Sequence, residues 1–98
     1  MLPDGWTIER VMAVAQGHVE LVSTAVPVIV DEIEPGAEKL GVVGQATVVP
    51  RCTLKFGDLY LAQDSTDGSW YMGQARPDGV IHCWSSYGDD LEEAIKGL

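Results

Sequence analysis

The segment from Trp70 to Trp84 constrains this chain most. Arg76-Pro77-Asp78-Gly79 is the clearest turn in the sequence. Proline presets its own φ, and glycine supplies the positive φ that closes a hairpin. Trp70-Tyr71-Met72-Gly73-Gln74-Ala75 leads into the turn, and Val80-Ile81-His82-Cys83-Trp84 returns from it. A three-residue loop Pro77-Asp78-Gly79 pairs Arg76 with Val80, Gln74 with His82, Met72 with Trp84 and Trp70 with Ser86. Trp70, Met72, Val80, His82 and Trp84 then share one face, and Tyr71, Gly73, Ala75, Ile81, Cys83 and Ser85 share the other.

Upstream, Arg51-Cys52-Thr53-Leu54-Lys55-Phe56 alternates with period two, as a half-buried strand does. Gly57-Asp58 interrupts it with a bulge or tight turn, and Leu59-Tyr60-Leu61-Ala62 resumes it. Asp64-Ser65-Thr66-Asp67-Gly68 carries turn chemistry. These segments form an antiparallel meander. A helix closes the chain, with Leu91, Ala94, Ile95 and Leu98 on one face and Lys96 in the last turn. Asp89 or Asp90 caps it, and Asp89 with Glu92 fits a capping-box spacing.

In the N-terminal half, Ile8, Val11, Met12, Ala15, Val19 and Val22 follow helical spacing, so a helix runs from about Thr7 into the low twenties. If Gly17 ends it instead, His18 to Ser23 is a strand. Pro27 stops any longer helix. Val28-Ile29-Val30 reads as a short strand, Glu34-Pro35-Gly36 as a turn, and Val42 to Val49 as a strand interrupted by Gly44 and ending at Pro50. The expected fold is one α+β domain over residues 1–98: an antiparallel meander with an N-terminal helix and a short C-terminal helix packed on it.

Charge limits the function. Fifteen acidic residues against six basic ones give a net charge of −9. Such a surface repels phosphate backbones and anionic lipid, so neither direct nucleic-acid binding nor membrane attachment is expected. It steers the chain toward basic partners. The longest apolar run, Ala25 to Val30, is too short to span a bilayer. Leu2-Pro3-Asp4-Gly5 follows Met1 without a basic region or an apolar stretch, so no signal peptide is expected and the compartment should be the cytoplasm.

Reactive constellations are sparse. His82 and Cys83 are neighbours in a strand, so their side chains diverge. Cys52 and Cys83 lie on strands separated by the Trp70 strand, about 9.6 Å apart, beyond disulfide reach, so both thiols should be reduced. His18, His82 and the two cysteines lack paired metal-ligand spacing. The carboxylate pairs Asp31-Glu32, Asp89-Asp90 and Glu92-Glu93 sit near turns or a helix start. Gly41-Val42-Val43-Gly44 lacks the lysine of a phosphate loop. No catalytic group, metal or cofactor is therefore expected.

The face of Trp70, Met72 and Trp84 has two readings. It is core, or it is a partner-binding surface rimmed by Asp64, Asp67 and Asp78. Trp70-Tyr71-Met72-Gly73, Asp78-Gly79-Val80-Ile81-His82-Cys83-Trp84 and Tyr87-Gly88-Asp89-Asp90-Leu91, followed by a short helix, resemble the tails of small immunity proteins of bacterial polymorphic-toxin systems. The resemblance covers about the last third of the chain. It implies a cytoplasmic, non-enzymatic, often acidic protein that blocks one toxin domain by direct contact. The expected partner is a cognate toxin with a basic surface acting on nucleic acids or nucleotides. The expected contacts are Asp64, Asp67, Trp70, Asp78, Trp84, Tyr87, Asp89 and Asp90. A small-ligand or peptide-binding accessory domain is the alternative, expected to show a hydrophobic pocket between sheet and helix. A small enzyme would require a cleft holding His82 or His18 beside a carboxylate.

Overall fold

The computed structural model describes residues 2–3, 5–32 and 44–98. The first helix, α1 (Ile8–Ala15), starts where Thr7 turns extended and its hydroxyl accepts a hydrogen bond from the Arg10 amide at 3.1 Å. That bond satisfies one of the amides that every helix start leaves without a partner. It ends at Gln16, which adopts φ 57° and returns its amide to the Met12 carbonyl. The helix therefore stops well short of the low twenties. Gln16 rather than Gly17 takes the left-handed position, and the strand alternative holds for the residues beyond.

Seven strands follow: β1 (Glu20–Val22), β2 (Val28–Glu32), β3 (Gly44–Val48), β4 (Pro50–Phe56), β5 (Leu59–Asp64), β6 (Trp70–Ala75) and β7 (Ile81–Ser86). They form one sheet in the order β1-β4-β5-β6-β7-β2-β3. The centre, β4 to β7, is the expected antiparallel meander. The flanks depart from it. β1 adds beside β4, β2 runs parallel to β7, and β3 is antiparallel to β2. A parallel neighbour needs a long connection, and the β3-to-β7 chain between these two strands supplies it.

β3 and β4 are separated only by Val49, although the sheet order puts four strands between them. One intervening residue spans at most about 7 Å between flanking Cα atoms. The sheet must therefore curl until its β3 edge returns to β4. The turn at Glu34-Pro35-Gly36 and the strand residues Val42 and Val43 lie outside the described residues.

Curling gives the sheet two buried faces. On one, Cys52, Leu54, Leu61 and Trp70 pack with Val11, Val19 and the closing helix α2 (Leu91–Lys96) through Leu91, Ala94 and Ile95. On the other, Val28, Val48, Ala62, Ile81 and Cys83 fill the inside of the curl. The face of Gly73, Ile81 and Cys83 is thus a second core, not an outer surface or a seat for a helix. Its small side chains suit the tight interior of the curl. Asp90 caps α2, accepting from the Glu93 amide at 3.2 Å, so Asp89 does not take that place.

The β6–β7 hairpin matches its expected loop. The Arg76 amide donates to the Val80 carbonyl at 2.8 Å, and Gly79 takes φ 88°. Gln74 faces His82 as expected, and Gly73 faces Cys83. The register then shifts, so that Met72 faces Ser85 and Tyr71 faces Ser86. Trp84 is the extra residue of a β-bulge. The pairing of Met72 with Trp84, and of Trp70 with Ser86, does not occur. Trp70 is fully buried, whereas Trp84 is 47% exposed.

Candidate functional site

The expected contact residues fall at two ends of the sheet. At one end the β5–β6 loop is built by its own carboxylates. Asp64 accepts from the Thr66 amide at 2.8 Å, and Asp67 accepts from the Ser69 amide at 2.9 Å. These short side chains replace backbone partners and fix a turn that exposes the loop. The chain leaving β7 is sewn to the same end. The Trp70 amide donates to the Gly88 carbonyl at 2.7 Å, and the Tyr87 amide donates to the Trp70 carbonyl at 2.9 Å. Asp89 and Asp90, both exposed, are thereby brought to the end of the sheet that carries Asp64 and Asp67.

Two residues at this end were not singled out in the sequence. Val49 is 66% exposed, and its carbonyl accepts from the Ser65 amide at 3.0 Å, which places an apolar side chain beside the acidic loop. The signal was present in Val48-Val49-Pro50: adjacent valines cannot both face one core, and Val48 is the buried one. Tyr71 is the second. Burial raises its phenol above the usual tyrosine range, and the nearby carboxylates of Asp67 and Asp64 raise it further.

Three expected contacts have other roles. Trp70 is core and presents no surface. Tyr87 is half-buried, and its hydroxyl donates to the Gly97 carbonyl at 3.2 Å. A Cβ on Gly97 would stand 2.6 Å from the Tyr87 ring, so this side chain seats the end of α2. Asp78 lies at the far end of the β6–β7 hairpin, in the turn. One oxygen bonds the Arg76 guanidinium at 2.7 Å and the other accepts from the Val80 amide at 3.0 Å. The Arg76 hydrogen bond, and then the Val80 amide, hold its carboxyl below the usual range. It shapes the turn and does not join the acidic end.

Trp84 projects from the bulge with its ring centroid 6.4 Å from that of His82, the planes inclined by 59°. It stands two residues before Ser86, the last residue of β7, and so lies in the same half of the molecule as the acidic end.

The thiols are free and fully buried. They belong to opposite faces of the sheet, with both β5 and β6 between their strands rather than the Trp70 strand alone. Burial raises the Cys52 thiol and pushes Cys83 up to about 12. Both are protonated at neutral pH and are poor nucleophiles. Among the described residues no cluster of three or more His, Cys, Asp and Glu side chains is placed to hold a metal ion. His18 approaches Glu20 at 3.3 Å, but both side chains stand in open solvent, not in a cleft. No helix among the described residues is long and apolar enough to cross a membrane.

A hollow of about 330 Å³ lies at the opposite end from the acidic loops, lined by Lys55, Gly57, Asp58, Tyr60, Gln74 and Ala75. It is polar and none of its lining residues is helical, unlike the apolar sheet–helix pocket expected of a ligand-binding accessory domain. No family model, curated protein or solved structure matches this chain.

Proposed function

We propose that the protein is an inhibitor of the immunity or antitoxin type, which neutralises a cognate toxin by covering its basic active-site surface. One observation carries this reading. Two acidic segments distant in sequence, Asp64 to Asp67 and Asp89-Asp90, are hydrogen-bonded onto one end of the sheet. Opposite this end, a toxin cleft lined with lysine and arginine finds charge complementarity. The net charge of −9 accelerates the encounter at low salt.

Aromatic and apolar groups supply the residence time that exposed charges do not. Trp84, 47% exposed, and Val49, 66% exposed, stand in the same half and serve as anchors. The contact set thus becomes Val49, Asp64, Asp67, Trp84, Asp89 and Asp90. Binding is steric and electrostatic, and no bond is made or broken. Toxins that act on nucleic acids or nucleotides need basic clefts and are the natural complement, and the cytoplasm is where such a toxin would have to be stopped.

The experiment is co-expression with the toxin encoded beside its gene. The wild-type chain should restore growth. A variant carrying D64N, D67N and D89N should lose protection while keeping its fold by circular dichroism. Complex formation with the purified toxin should weaken steeply with salt. Full protection by the triple variant would remove the acidic end from the mechanism.

A further inference from the structure

The hollow at the turn end has a chemistry of its own. It sits at the mouth of the curl, where the β4–β5 turn meets the end of β6. Gly57 takes φ 65° there, closing a two-residue turn that brings Asp58 to the rim. Lys55 and Tyr60 are cross-strand partners, so both side chains leave the same face of the hairpin. Both are half-buried, and Gln74 comes from β6 on the far side.

The charges are the informative part. Lys55 and Asp58 line one cavity, yet among the described residues they form no ion pair with each other or with another side chain. Arg76, on the neighbouring turn, is already held by Asp78 at 2.7 Å. A simple anion would meet Lys55 favourably but would be repelled by Asp58 and by the net charge of −9. A simple cation would meet the reverse pairing at Lys55. A molecule with both charges, separated by a few ångströms, satisfies both groups and brings no net charge into the field.

We propose that this hollow binds a small zwitterion of the free α-amino acid class. Lys55 takes the carboxylate and Asp58 takes the ammonium. Tyr60, the cross-strand partner of Lys55, forms an apolar wall with a hydroxyl within reach. The volume, about 330 Å³, falls at the lower end of the range typical of small-molecule sites. The site is open and the ligand small, so affinity lies on the order of 1–10 mM. The site is separate from the acidic end and does not depend on the inhibitor reading.

Amide NMR titration of the whole chain tests it, with three probes. L-alanine carries both charges, propionate only the carboxylate, and ethylammonium only the cation. L-alanine should give saturable shifts at Lys55, Gly57, Asp58, Tyr60, Gln74 and Ala75. The single-charge probes should bind at least about tenfold more weakly. K55M and D58N should each weaken L-alanine binding by a similar factor, with the remaining spectrum unchanged. Because both positions are solvent-accessible, loss of the fold is not the expected cause, and the unchanged spectrum checks that directly. Absence of localised shifts with L-alanine at about 50 mM would overturn the site. Propionate binding as well as L-alanine, or retained binding in either variant, would overturn the zwitterion assignment.

Discussion

Gly73→Ala should be among the most destabilising single-methyl additions available to this protein. Gly73 sits on the shifted side of the β6–β7 register, opposite Cys83. A Cβ there would overlap the His82 carbonyl oxygen and lie 2.6 Å from both the His82 carbonyl carbon and the Cys83 Cα. Carbon atoms make contact at about 3.5–4.0 Å, so β7 must retreat by about an ångström. Backbone cannot swing aside as a side-chain tip can. Overpacking of this kind costs about 1–3 kcal/mol, and loosening one ladder hydrogen bond adds about 1 kcal/mol. The sum, about 2–4 kcal/mol, is a large part of the stability of a small domain. At about 4–8 °C per kcal/mol, Tm should fall by roughly 10–25 °C. Gly17→Ala is the matched control. Its Cβ would meet nothing within 4 Å and its φ is not in the left-handed region. There the same methyl should leave stability unchanged or raise it by about 0.4–1 kcal/mol, through the unfolded chain. Urea titration with fluorescence detection measures both. If Gly73→Ala costs less than about 0.5 kcal/mol, the close approach of β7 is wrong and the bulge assignment goes with it.

Other outcomes follow from burial and capping. Trp70→Ala should cost about 3–5 kcal/mol in the same titration, because Trp70 is fully buried, whereas Trp84→Ala should stay within about 1 kcal/mol; the opposite ranking would place the wrong tryptophan in the core. Asp90→Ala should cost about 1 kcal/mol through the lost cap on the Glu93 amide, and Asp89→Ala less than about 0.5 kcal/mol; equal effects would restore the capping box at Asp89. A thiol reagent at neutral pH should label neither cysteine in the native protein and both in urea; rapid native labelling would contradict their burial. Cys83 is raised to about 12 in the fold, so its neutral form is favoured there. Above an ordinary thiol pKa of about 8.5 the unfolded chain releases a proton that the native chain keeps. Stability should therefore be undiminished by this group below that pH and fall as pH rises toward 12. Cys83→Ser should flatten the alkaline decline, as read from urea midpoints across that range.

Local chemistry was legible and long-range pairing was not. Pro77, Asp78 and Gly79 determine their turn within four residues, and the loop closes as their types require. Asp90 to Ile95 likewise carry cap and apolar face in one short stretch. The helix boundary failed because Val19 and Val22 keep helical spacing by coincidence: Val19 is buried beyond the helix and Val22 lies in β1. The parallel β2–β7 pairing left no local trace, since Val28-Ile29-Val30 reads the same beside any neighbour. Of the expected contact set, the acidic loops were legible because aspartate builds exposed turns. The bond from Tyr87 to Gly97 was not legible because it joins residues ten apart, whereas that of Asp78 to Arg76 lies within one turn.

One inserted residue accounts for the largest error. Strict alternation puts Trp70 and Trp84 on one face, where they must be core together or surface together. A bulge breaks that equivalence, because the residues after it change face relative to the partner strand. Gly73 is what permits it here, since any side chain at that position would collide with the backbone at His82 and Cys83. Releasing Trp84 from the core exposes a large aromatic surface to water, at an expense of the order of 1–2 kcal/mol for the area left unburied. Folding alone gains nothing from that exposure. A tryptophan at the same place becomes advantageous once a second molecule covers it, because the burial forgone on folding is then recovered on binding. The bulge therefore connects the geometry of one hairpin to the proposed inhibitor function. On this reasoning Trp84, more than any single aspartate, should govern how long the complex lasts.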